Sequence, residues 1–109
     1  MAGSAVDISN SLYAHAYAQI TVGTSSATLA ALLQAAGAPP IPSWALMAYL
    51  TPETAAIRYR CDGTAPTAAI GQPVQELQSM PVQGSGSLAN LQMIAQGASG
   101  VTVSIEFRG

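Results

Sequence analysis

Few side chains in this sequence are equipped for chemistry. The carboxylates are Asp7, Glu53, Asp62, Glu76 and Glu106, the cations are Arg58, Arg60 and Arg108, and His15 and Cys61 are the single members of their types. Glycosidic hydrolysis needs two carboxyl groups facing one cleft with pKa values pushed apart. Here the carboxylates are scattered, and two of them fall in or beside turns. A metal centre needs three or four ligands, and His15 has no second histidine or neighbouring cysteine to join it. Cys61 takes the inward parity of its strand, which makes it a packed thiol rather than a nucleophile. Gly84-Ser85-Gly86 is too short for a phosphate cradle and lacks the strand and helix around it. Accordingly no residue is nominated as catalytic, cofactor-binding or metal-ligating, no cofactor is expected, and the chain is read as a non-enzyme.

The charges that exist are clustered. Arg58, Arg60 and Asp62 lie in one strand and its turn, and Glu106 and Arg108 in the last strand. If those strands are neighbours, Glu106 meets an arginine across the ladder, worth roughly 0.2–1 kcal/mol. Trp44, Tyr49 and Tyr59 would make a sugar platform only on a shared outward face, and parity puts Trp44 and Tyr49 on opposite faces.

The elements that must carry these residues are mostly strands. In the run from Ala56 to Thr67, Ile57, Tyr59 and Cys61 alternate with Arg58 and Arg60, giving one apolar and one cationic face. Asp62-Gly63 then turns the chain, and Pro66 forbids a simple continuation of the ladder. Tyr13 to Val22 alternates Ala14, Ala16, Ala18, Ile20 and Val22 against Tyr13, His15, Tyr17, Gln19 and Thr21. Residues 24–37 change to a helical period, with Leu29, Leu32, Leu33 and Ala36 on one face, Ser25 or Ser26 as cap and Gly37 as terminator. Pro39 to Pro42 is an extended connector. Trp44 to Leu50 reads as a strand that forms a hairpin with the Ala56–Cys61 strand. Residues 64–73 read as a loop or sheet edge, Val74–Leu77 as a weak strand and Gln83–Ser87 as a flexible loop. Leu91, Met93 and Ala95 mark a further strand, Gly97 to Gly100 a turn, and Val101 to Arg108 the clearest strand of all. The expected fold is mainly β, an antiparallel sandwich, jelly-roll-like or a small barrel, with one short helix at about 27–36. Residues 1–11 are expected to form an N-terminal arm and residues 12–109 a single β-rich domain.

Composition bounds the partners. Only 7% of the 109 residues are charged, lysine is absent and the net charge is −2, whereas an ordinary soluble domain is about 25% charged. No basic stripe exists to neutralise phosphates, which excludes nucleic acid as a partner. No run approaches 18 apolar residues, so no membrane span is expected, and no basic-then-apolar leader marks a signal peptide. A surface of Ser, Thr, Gln and Ala costs little to cover, because buried charges are expensive and these side chains are not. That fits a subunit living inside an assembly, and equally an organism or phage with alanine-rich coding.

The stretch Ile57-Arg58-Tyr59-Arg60-Cys61-Asp62-Gly63-Thr64-Ala65-Pro66-Thr67, with Gly71-Gln72-Pro73-Val74 after it, resembles small virion proteins of tailed bacteriophages. The outline shared with them runs from about Leu29 to Phe107 and ends on a Val-x-Val-x-Ile strand. The resemblance implies a β-sandwich structural protein of the virion, a capsid decoration or cement protein that bridges capsid subunits. Its implied partners are itself, as a homo-oligomer with a trimer as one arrangement, and the major capsid protein. Its implied location is the capsid surface, after synthesis in the host cytoplasm, with the N-terminal segment reaching a neighbour. A tail or neck part is the nearest alternative. A rival resemblance, to Ig-like accessory or carbohydrate-binding modules with a Tyr-x-x-Asp-Gly-Thr-x-Pro-Thr turn, rests on Tyr59 to Thr67. In both families that turn is an architectural corner.

Overall fold

The computed structural model describes residues 15–97 and 100–109. Its strands are β1 (His15–Val22), β2 (Ala27–Thr28), β3 (Met47–Pro52), β4 (Ile57–Arg60), β5 (Gln72–Val74), β6 (Met80–Gln83), β7 (Gln92–Ala95) and β8 (Val101–Arg108). Two short helices, α1 (Leu29–Ala35) and α2 (Ser85–Asn90), lie between strands. Two four-stranded sheets form, in the orders β1-β8-β3-β6 and β2-β7-β4-β5, with every pairing antiparallel.

This order has a simple origin. The pairs β1–β8, β2–β7, β3–β6 and β4–β5 nest inside one another like a single long hairpin. Rolling that ribbon up brings β3 beside β8 and β4 beside β7 and closes the two sheets. Every connection therefore crosses from one sheet to the other, except β4 to β5, which is the tip of the ribbon. Two sheets wound this way form the jelly roll.

Period-two patterning decides which faces meet. Val101, Val103, Ile105 and Phe107 of β8 are buried, as are Ala18, Ile20 and Val22 of β1 and Ala48 and Leu50 of β3. Ile57, Val74, Met93 and Ala95 close the core from the second sheet. Removing such side chains from water stabilises the fold by about 1.5–3 kcal/mol for each large one. Leu29, Leu32 and Leu33 of α1 insert into the same core. The helix ends in a Schellman motif: Gly37 has φ +71, Ala38 N–H bonds to Leu33 O at 3.0 Å and Gly37 N–H to Gln34 O at 3.1 Å.

Several expectations are corrected. The helix starts at Leu29 and its cap is Thr28, whose Oγ1 accepts from Ala31 N–H at 3.1 Å, not Ser25 or Ser26. Ala27 and Thr28 pair with β7, so the chain is still extended there. A second helix, α2, occupies part of the stretch read as a loop; six residues with Gly84 at the cap position show no helical period, and buried Leu88 anchors it. The strand after the proline connector begins at Met47 rather than Trp44, because Ala45 N–H turns back to Pro42 O. It forms no hairpin with β4. Both sides of β3 are taken by β8 and β6, and Glu53 N–H bonds to Thr102 O as the chain leaves for the other sheet. β5 lies at Gln72–Val74, earlier than expected, and β6 was not foreseen. Both carry a proline, which is tolerated because both are edge strands. The N-terminal arm 1–11, the start of the first strand at Tyr13 and part of the Gly97–Gly100 turn lie outside the described residues.

Candidate functional site

The ribbon tip holds the sequence motif, and its polar groups are turned on the chain itself. Arg60 and Asp62 face each other as a two-pronged pair: Nε donates to Oδ1 at 3.1 Å and Nη2 donates to Oδ2. Asp62 Oδ1 also accepts from Thr64 N–H at 3.1 Å, an Asx turn. The Arg60 hydrogen bond first, and the Thr64 N–H second, hold the Asp62 carboxyl below the usual aspartate range. Thr67 Oγ1 accepts from Ile70 N–H at 2.9 Å and Ala69 N–H at 3.3 Å. Arg58 fastens the far side of the loop, with Nε donating to Ala68 O at 3.1 Å and Nη1 to Gly71 O at 2.8 Å. Gly71 has φ +142, and a Cβ there would meet Pro66 Cβ at 3.1 Å, Arg58 Cβ at 3.2 Å and Tyr59 O at 3.2 Å. Only glycine fits this approach. The expected apolar and cationic faces of β4 are observed, with Ile57 buried and Tyr59 and Cys61 packed against the core. Burial, then the nearby Asp62 charge, pushes the Cys61 thiol up. This lowers its thiolate fraction and suits a packed side chain.

The outer face of the β1-β8-β3-β6 sheet presents a different arrangement. Register places Tyr17, Glu106 and Tyr49 in one row across β1, β8 and β3, with Gln19, Ser104 and Thr51 in the next. Glu53 Oε2 accepts from Ser104 Oγ and from Gln19 Nε2 at 3.2 Å. The single Ser104 proton is thereby committed, so Tyr17 O–H is the donor in its 2.9 Å contact with Ser104 Oγ. That bond draws the tyrosine diagonally across the sheet, and Tyr17 remains 64% exposed. Arg108 lies over the Tyr49 ring, Cζ 5.2 Å from its centroid, and its Nη2 is 3.3 Å from Glu106 Oε2. His15 Nδ1 stands 3.6 Å from the same carboxylate oxygen. Between the tyrosines lies a depression of about 360 Å³ lined by Tyr17, Tyr49, Thr51, Ser79, Ser104, Glu106 and Arg108.

One end of that sheet is apolar. Trp44 (39% exposed) and Leu46 (62% exposed) stand beside Met47, and Leu46, Met47, Arg108 and Gly109 line a hollow of about 270 Å³.

The expected ion pair between Glu106 and Arg58 or Arg60 does not form, because β4 and β8 belong to different sheets; Glu106 meets Arg108 and His15 instead. Trp44, Tyr49 and Tyr59 do not share a platform: Tyr59 packs against the core, and Trp44 precedes its strand. The exposed outward aromatic that the sequence alone does not single out is Tyr17. Its outward parity was legible, but its neighbour Tyr49 was not, since only the sheet order brings β1 within reach of β3. Among the described residues, no three of His, Cys, Asp and Glu come together as a metal site, and no helix is long and apolar enough to cross a membrane.

The fold is a jelly-roll β-sandwich whose sequence motif serves its architecture, and among the described residues Tyr17 on the outward sheet face and Trp44 and Leu46 at the apolar end are exposed. Comparison with family models, curated proteins and solved structures finds no match to the chain.

Proposed function

We propose that this protein is a structural component of a tailed-phage virion, a decoration or cement protein that forms a homo-oligomer on the capsid surface and buries area against the major capsid protein. The observation that carries the reading is the strand order β1-β8-β3-β6 and β2-β7-β4-β5. Viral capsid, lectin and cupin domains share this winding. Composition supports the structural choice within that group. With 7% charged residues, contact between copies desolvates few ions. The apolar end at Trp44, Leu46 and Met47 supplies the kind of anchor that oligomer contacts are built around. The work of such a subunit is mechanical: specific attachment needs roughly 1,000 Å² or more of buried surface per contact, and each contact resists separation of the shell.

The test is the composition of purified particles from cells producing the phage that encodes this chain. Quantitative peptide mass spectrometry is expected to find the chain in fixed proportion to the major capsid protein. Its absence from washed particles would contradict the reading.

A further inference from the structure

We infer that the outer face of the β1-β8-β3-β6 sheet is a binding site for a neutral saccharide, with a pyranose ring lying on Tyr17 and its hydroxyls bonding to Glu106, Arg108 and Thr51. This is independent of the virion reading. Four observations point the same way. Tyr17 is held across the sheet through Ser104 and Glu53 while its ring stays 64% exposed. An aromatic ring fixed in this way offers an apolar surface at little cost in conformational entropy. The depression beside it, about 360 Å³, falls in the size range of small-ligand sites. Its walls mix a carboxylate, a guanidinium and the three hydroxyls of Thr51, Ser79 and Ser104 with two aromatic rings. That combination suits a ligand with a C–H face and a hydroxyl edge.

Charge narrows the class. Arg108 is matched by Glu106 at 3.3 Å, and Glu53 adds a further carboxylate to the face. Among the described residues the one guanidinium on this face is already paired and two carboxylates stand near it, so a phosphate, sulfate or acidic sugar meets net repulsion there. Hydroxyl donors are welcome, because Glu106 retains acceptor capacity beyond its bonds to Arg108.

The experiment is a titration of the isotopically labelled full chain, followed by backbone amide shifts, with maltohexaose, cellohexaose, mannohexaose and galactohexaose. At least one is expected to move the amides of Tyr17, Gln19, Ser104 and Glu106 together, saturably. Tyr17→Ala is expected to weaken that sugar by about tenfold or more, which corresponds to about 1.4 kcal/mol. Thr67→Ala at the ribbon tip is the matched control and should bind as the wild type does. No shift with any of the four sugars at about 10 mM, tenfold above a Kd of about 1 mM, would overturn the inference. So would shifts that Tyr17→Ala leaves unchanged. Light scattering on Tyr17→Ala separates the remaining case: conversion of an oligomer to monomer would show that a second copy occupies this face, overturning the saccharide site while leaving the structural reading standing.

Discussion

At the ribbon tip the side chains of Arg58, Arg60, Asp62 and Thr67 all bond to the chain around them. Arg58 holds two carbonyls, Asp62 holds an arginine and an amide, and Thr67 holds two amides. On the outer face of the β1 sheet the polar groups form a network too, but it ends in an exposed ring and a partly open carboxylate. The first region resembles a site in sequence and is architecture in space. The second is spread over β1, β3 and β8 and has no motif at all. A dense local motif is what a tight turn needs, because a turn must satisfy its own amides within a few residues. A binding face needs only outward parity on strands that become neighbours, and parity is written at every second residue of any strand.

Substitutions sharpen this contrast. The largest expected effect is at Gly71. Gly71→Val forces a β-branched residue to φ +142 against Pro66, Arg58 and Tyr59 O, and should cost about 2–4 kcal/mol in urea unfolding. A cost below about 0.5 kcal/mol, the ordinary surface value, would mean that the tip is loosely packed. Next comes Arg58→Ala, which leaves the Ala68 and Gly71 carbonyls without their donor and should cost about 1–2 kcal/mol. Arg58→Lys should recover less than half of that, since an ammonium cannot serve two carbonyls in a fixed fork.

A smaller effect is expected from acid. The Asp62 carboxyl lies below its ordinary value in the folded chain, so its contribution is present above the unfolded pKa of about 3.9 and is lost as pH falls through the lowered one. The stability difference between the wild type and Asp62→Asn should therefore be constant near neutrality and shrink below about pH 4. A difference that grows on acidification would reverse the sign and contradict the pairing. The smallest effect belongs to the outer face. Tyr17→Phe removes the hydroxyl bond to Ser104 at an exposed site and should change stability by no more than about 0.5 kcal/mol. A loss as large as that of Arg58→Ala would make the face part of the scaffold.

How far the sequence carried the fold can be read from β8 and β6. The strict alternation of Val101 to Arg108 was enough to define its strand and both its faces. Met80-Pro81-Val82-Gln83 is too short and carries a proline, and it becomes a strand only because β3 offers it an edge. The missed hairpin has the same cause. Sequence nearness favours β3 with β4, but β8 and β6 occupy both edges of β3. The tip was legible as a turn because Asp62, Gly63, Pro66 and Thr67 each carry local turn chemistry. The Tyr17–Glu106–Tyr49 row was not, because it depends on register between strands about 90 and 60 positions apart in a chain whose pairing follows from how the ribbon rolls up.

The division between an architectural tip and an open face and end is tested most directly by the native mass, from light scattering, of three proteins at matched concentration: wild type, Arg58→Ala and Leu46→Asp. The wild type should be an oligomer, Arg58→Ala should retain that mass in its folded fraction, and Leu46→Asp should be a folded monomer. A wild-type monomer, or an oligomer that Arg58→Ala dissociates and Leu46→Asp leaves intact, would contradict it.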